Sequence, residues 1–88
     1  MNRQEVFEKV RAALLSVVES PSTITPQAHL VEDLGLDSVN MASLTIVLED
    51  EFNEVLLLND WIASANSPSE LTVDSLVTYL MDLLSGAS

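Results

Sequence analysis

No cysteine occurs among the 88 residues. Disulfides and thiolate metal sites are therefore excluded, and any thiol chemistry must arrive on a cofactor. The absence also fits a reducing compartment. Aromatic residues make up only 5% of a chain that is 48% apolar, so the core must be built from Leu, Val, Ile and Met. Two glycines and three prolines leave room for long helices. No run approaches the about 20 apolar residues needed to span a bilayer. The opening MNRQEVFEKVRAALL mixes charges into its apolar positions, unlike a signal peptide. A cytoplasmic location with no membrane partner is expected. Positive charge is scarcest of all. Three bases (Arg3, Lys9 and Arg11) face fourteen acids, for a net charge of −11, and no Lys or Arg follows Arg11. Such a surface repels nucleic acid and anionic lipid and favours partners with basic patches. High charge can also mark disorder, but the apolar content argues against it here. The length allows one small domain, 1–88, whose core is marginal enough that every amphipathic face should count.

Four segments carry helical periodicity. From Arg3 to Val18, the residues Val6, Phe7, Val10, Leu14 and Val17 form one apolar stripe. Ser20-Pro21-Ser22 ends it, because Pro cannot continue a helix. A long connection follows to Asp37. Its Ile24, Leu30, Val31, Leu34 and Leu36 are too apolar for a free linker and should be buried over the helices. A second helix is predicted over Ser38–Phe52, with Met41, Leu44, Leu48 and Phe52 on its core face. Val39, Ala42, Ile46 and Val47 form a second apolar strip, more than a small bundle needs, so part of it should be exposed for a partner. A short third helix is predicted over Asn59–Ala65, capped by Asn59, with Trp61 and Ile62 pointing inward. Ser64 to Ser69, with Pro68, reads as a loop. The fourth helix is predicted after the N-cap Thr72 and runs to Leu84, with Gly86 as its stop. No strand alternation or repeat is visible. The fold class is all-α: three main helices plus a short one, with a long first loop.

Chemistry concentrates at Asp33-Leu34-Gly35-Leu36-Asp37-Ser38-Val39. A helix N-terminus presents unpaired N–H groups and the positive end of the helix dipole, which together suit a phosphate. Gly35 permits a left-handed turn, and Leu34 and Leu36 can pin that turn to the core. Ser38 would then be exposed but held in place. As a dipeptide, Asp-Ser is also an ordinary helix cap, so these residues leave capping and phosphate attachment both open.

The run DLGLDSV, followed by an apolar helix ending LEDEF, closely resembles the acyl carrier proteins of fatty-acid and polyketide synthesis. The resemblance covers nearly the whole chain, including a last helix opening Leu-Thr-Val. It implies a four-helix bundle of the acyl-carrier type. It also implies a 4′-phosphopantetheine arm, taken from coenzyme A and esterified to Ser38 by a phosphopantetheinyl transferase. The arm's thiol would hold acyl groups as thioesters for loading, synthase and processing enzymes. The chain itself would be a non-catalytic, monomeric carrier with no metal site. Partners would read Asp37, Val39, Asn40, Ala42, Ser43, Ile46, Val47, Glu49 and Asp50. Asn40 and Ser43 are neutral where carriers of primary fatty-acid synthesis place acids. That departure points to a specialised polyketide or hybrid peptide–polyketide pathway rather than to the general fatty-acid carrier. Aminoacyl or peptidyl carriers are a rival class. Those of peptide synthetases usually carry Gly-Gly-His-Ser, where this chain has Leu36-Asp37-Ser38. An unmodified helical interaction module is the third reading. The Met start and short tails point to a free-standing protein.

Other residues have plainer readings. His29, the only histidine, lies near no nucleophile and is expected to be a satisfied or solvent-facing loop residue. Glu32, Asp33 and Asp37 lack the spacing of a calcium loop and read as a solvated rim. Glu49, Asp50, Glu51 and Glu54 read as a partner surface. Trp61 is expected in or near the core, and Tyr79 with its ring packed and its hydroxyl near solvent.

Overall fold

The computed structural model describes residues 2–18, 24–56, 58–67 and 70–85. Four helices lie within them: α1 (Arg3–Val17), α2 (Ser38–Phe52), α3 (Leu58–Ser64) and α4 (Val73–Leu84). Among the described residues there is no strand; His29 and Thr72 form an isolated antiparallel bridge. The fold is all-α.

Asn2 caps α1 by accepting the Glu5 amide at 2.9 Å. Val6, Val10, Ala13 and Leu14 then fall on one buried face, which packs against both α2 and α4. Phe7 and Val17 lie half-buried at its edges, and Ala13 fills the stripe instead. Two of the three bases tie α1 outward. Lys9 Nζ meets Glu51 Oε1 at 2.7 Å, and Arg3 pairs with Asp74 and donates to Thr78 Oγ1. Exposed pairs of this kind contribute about 0–1 kcal/mol each, so they set register more than stability.

The long loop behaves as core. Ile24, Ala28, Leu30, Leu34 and Leu36 are buried. Backbone bonds hold the loop to the entry of α4: Leu30 N–H to the Leu71 carbonyl, Val73 N–H to Ala28 and Asp74 N–H to Pro26, at 2.8–2.9 Å. Val31 departs from expectation and is 40% exposed. Residues 30–34 form a turn whose two ends, Leu30 and Leu34, point inward, so the intervening side chains must face out. The Ser20-Pro21-Ser22 stop lies outside the described residues.

The second helix matches its predicted bounds, with Met41, Leu44, Leu48 and Phe52 buried. Asn53 closes it in a left-handed conformation, φ 54°, which Asn tolerates better than most residues. The third helix starts one residue early, at Leu58. Asn59 therefore lies inside the helix and is not its cap. Leu56 and Leu58 are buried while Val55 is 76% exposed, so the run after α2 supplies core side chains that periodicity did not place. Trp61 and Ile62 are half-buried at the core's edge rather than inside it. The Trp61 ring faces Tyr79, with centroids 6.0 Å apart. Thr72 and Ser75 cap α4 reciprocally. Val73, Leu76, Val77 and Leu80 are buried, and Leu83 and Leu84 only partly. Ser85 follows the last turn; Pro68 and Gly86 lie outside the described residues.

Leu30 is as fully buried as Leu44 in α2. Leu30→Ala should therefore cost a comparable about 2–5 kcal/mol in urea unfolding. A loss below about 1 kcal/mol, in the range of ordinary surface substitutions, would show that the loop is not part of the core.

Candidate functional site

The start of α2 is built by three local devices. Gly35 takes φ +67°, and a Cβ built there meets nothing within 4 Å. The backbone angle, not crowding, is what favours glycine at this position. Leu34 and Leu36 are buried on either side of it and anchor the turn. Asp37 then caps the helix. Its Oδ1 accepts the Asn40 amide at 2.8 Å, while Asn40 Oδ1 accepts the Asp37 amide at 3.4 Å. Asn40 Nδ2 also donates to the Val17 carbonyl at 3.3 Å, fastening this end of α2 to the end of α1.

Ser38 is the first residue of α2 and is exposed. Its hydroxyl has no partner among the described residues, and neither its own amide nor that of Val39 has an acceptor there. Beside it opens a cleft of about 260 Å³ between α2, α3 and the loop, lined by Val31, Leu36, Asp37, Ser38, Met41, Ile62 and Leu71. A second opening, about 690 Å³, lies across the cap between the end of α1 and the Glu32–Asp37 turn. The walls contributed by Val31, Ile62 and Leu71 have no signal in the sequence, because nothing local brings three distant segments to one serine. The Asn40 cap carried a signal: Asp-x-x-Asn is a short relative of the capping box.

The residues read as partner-facing separate into two groups. Asp37, Val39, Ala42, Ser43, Ile46 and Asp50 are exposed. Asn40, Val47 and Glu49 are half-buried: Asn40 in the cap, Val47 against the core, and Glu49 accepting the Leu56 amide at 3.0 Å. His29 lies in the loop with its ring Nδ1 3.0 Å from Asp33 Oδ2, and its amide donates to that same oxygen at 2.8 Å. Among the described residues no group of three or more His, Asp or Glu side chains could hold a metal. No helix there is long and apolar enough to cross a membrane.

Residues 8–72 match the family described as the phosphopantetheine attachment site. The acyl carrier protein of Saccharopolyspora erythraea is 42% identical over 52 residues, which span 58% of this chain and 55% of that protein. Acyl carrier protein AcpXL of Mesorhizobium japonicum is 31% identical over 72 residues, 81% of this chain and 77% of that relative. This chain thus spans little more than half the length of the first relative and about three quarters of the second. The chain belongs to the acyl carrier protein family. The family's cofactor is 4′-phosphopantetheine, carried covalently. The residues at the start of α2 fit it: a free hydroxyl for the ester, two open amides for the phosphate, and an apolar wall alongside for the arm.

The His29 amide, and after it the His29 ring, hold the Asp33 carboxylate below the ordinary aspartate value of 3.8. A lowered folded-state value means that the ionised form is favoured by folding. The stabilisation is therefore present above the unfolded-state pKa and fades as pH falls through the folded one. Carbon-detected NMR titration should place the Asp33 midpoint below 3.8, and His29→Pro, which deletes the amide, should raise it. An Asp33 midpoint at or above the unperturbed value would show that the turn does not hold the carboxylate.

Proposed function

We propose that this chain, as one carrier domain, holds a 4′-phosphopantetheine arm on Ser38 and delivers acyl groups to partner enzymes. The observation that carries this is the exposed, unpartnered Ser38 hydroxyl at the capped start of α2. When attached, the arm supplies the thiol that this Cys-free chain lacks. The chain's own residues position it. Asp37 and Gly35 fix the turn, so the serine oxygen leaves the surface in one direction. The Ser38 and Val39 amides and the dipole of α2 favour the phosphate's charge. Met41, Ile62 and Leu71 offer an apolar flank beside the arm's root. The carrier lowers no barrier by itself; tethering raises the effective concentration of its cargo at the partner's active site.

The partners are a phosphopantetheinyl transferase and the enzymes that load, extend and process the cargo, in a specialised polyketide or hybrid peptide–polyketide pathway. Neutral Asn40 and Ser43 beside the serine support that pathway over general fatty-acid synthesis. Leu36-Asp37 ahead of Ser38 supports acyl over aminoacyl cargo.

Incubation with coenzyme A, Mg²⁺ and a broad-specificity transferase should add one phosphopantetheinyl group to the intact mass, and Ser38→Ala should abolish the gain. No gain, or a gain that survives Ser38→Ala, contradicts the assignment. Housekeeping fatty-acid enzymes should load the chain less efficiently than their own carrier, and equal efficiency would remove the case for a specialised pathway.

A further inference from the structure

α1 ends at Val17 with no basic residue in its last turn. The last carbonyls of a helix lack intrahelical donors and sit at the negative end of its dipole. Val18 N–H closes onto the Leu14 carbonyl at 2.9 Å. The Val17 carbonyl is met by a side chain from the next helix: Asn40 Nδ2 donates to it at 3.3 Å.

The same carboxamide serves α2 with its other end. Asn40 Oδ1 accepts the Asp37 amide at 3.4 Å, while the Asn40 amide donates to Asp37 Oδ1 at 2.8 Å. Asn40 is half-buried, between exposed Val39 and buried Met41. One planar group thus joins the C-terminus of α1 to the N-terminus of α2. That join needs a donor and an acceptor on one side chain, and a carboxamide has both. A flipped amide fails at both ends, so the network admits one orientation. A carboxylate has acceptors only. It would keep the Asp37 amide but set a negative charge against the Val17 carbonyl. The neutrality of residue 40 therefore has a cause within the fold, besides any that a partner supplies.

We propose that Asn40 is a positioning residue for attachment of the arm. The inference rests on the Ser38 reading and adds what holds the nucleophile still. In the transfer, Ser38 Oγ bonds to the phosphorus on the pantetheine side of coenzyme A. The pyrophosphate P–O bond breaks, adenosine 3′,5′-bisphosphate leaves, and the hydroxyl proton passes to the transferase. Such a displacement tolerates little freedom in the attacking oxygen. Ser38 is the first residue of its helix and exposed, and helix ends fray unless tied. Asp37 ties this end from within α2. Asn40 makes no hydrogen bond to Ser38; it acts through Asp37 and ties the same turn to α1. The serine oxygen then moves with two helices and not with one loose turn.

The test uses the unmodified full chain with coenzyme A and a broad-specificity phosphopantetheinyl transferase, reading kcat, KM for the chain and intact mass. Asn40→Asp, isosteric and lacking only the donor, should lower kcat about fivefold with KM little changed, the size of one net hydrogen bond. Asn2→Ala removes the cap at the other end of α1 and is a loss of stability of the same kind; it should leave kcat unchanged. Circular dichroism and urea midpoints show that each variant is folded at the assay temperature. Hydrogen exchange in the wild type needs no variant: the Asn40 carboxamide protons should exchange more slowly than those of exposed Asn53. A changed KM with kcat kept in Asn40→Asp overturns the proposal, by making residue 40 a partner contact. So does a kcat lowered as much by Asn2→Ala, or Asn40 protons that exchange as fast as those of Asn53. Each of these leaves the Ser38 reading intact. No mass gain in the wild type overturns the Ser38 reading and the positioning role with it.

Discussion

The hydrogen bond from the Asn40 amide to the Asp37 carboxylate fixes where α2 begins, and most of the site's geometry depends on that point. One residue earlier or later and the exposed first position would be held by Asp37 or Val39 instead of Ser38. The bond is supported from three directions. Gly35 supplies the left-handed angle that aims the chain into the helix, and Leu34 and Leu36 bury on either side of it. Asn40 returns a bond to the Asp37 amide and another to the end of α1. An N-cap alone contributes about 0.5–2 kcal/mol, so the anchoring leucines are needed to hold the serine in one place on a chain this small.

The second support is the seam between the long loop and the entry of α4. In a bundle of this size a loop cannot be left to solvent, because its apolar residues are part of a core that is marginal without them. Bonds from Leu30, Val73 and Asp74 settle the backbone polar groups along that seam. The same seam brings Val31 and Leu71 to within reach of the Ser38 cleft. Stability and the site's apolar wall therefore share one origin. The acidic surface is also less uniform than composition suggests. Lys9 and Arg3 each remove an acid from it by pairing, and backbone closure removes Glu49.

Much of this is legible in the residues. The bounds of α2 follow from Asp-Ser before a 3.6-residue apolar period, and Thr72 announces α4 by its capping chemistry. Four of the five loop hydrophobics lie in the core as expected; Val31 does not, because periodicity cannot tell which side chain of a one-turn segment is left outside. The start of α3 differs by one residue, since Asn59 looks like a cap while Leu58 is drawn into the core, and burial outweighs cap preference. At the site, the serine and its aspartate can be found by motif. The walls from Val31, Ile62 and Leu71 cannot, because their proximity to Ser38 is purely tertiary. The unequal commitments of Glu49, Asp50 and Glu51 are hidden for the same reason: each depends on what lies across from it, Leu56 in one case and Lys9 in another.

The central claim is that one particular oxygen on this surface carries the cofactor. Tandem mass spectrometry of peptides from the protein purified out of its own cells tests it most directly. A phosphopantetheine-derived modification confined to Ser38 is the expected result. A protein bearing no such group, or bearing it on Ser43 or another hydroxyl, would contradict the claim.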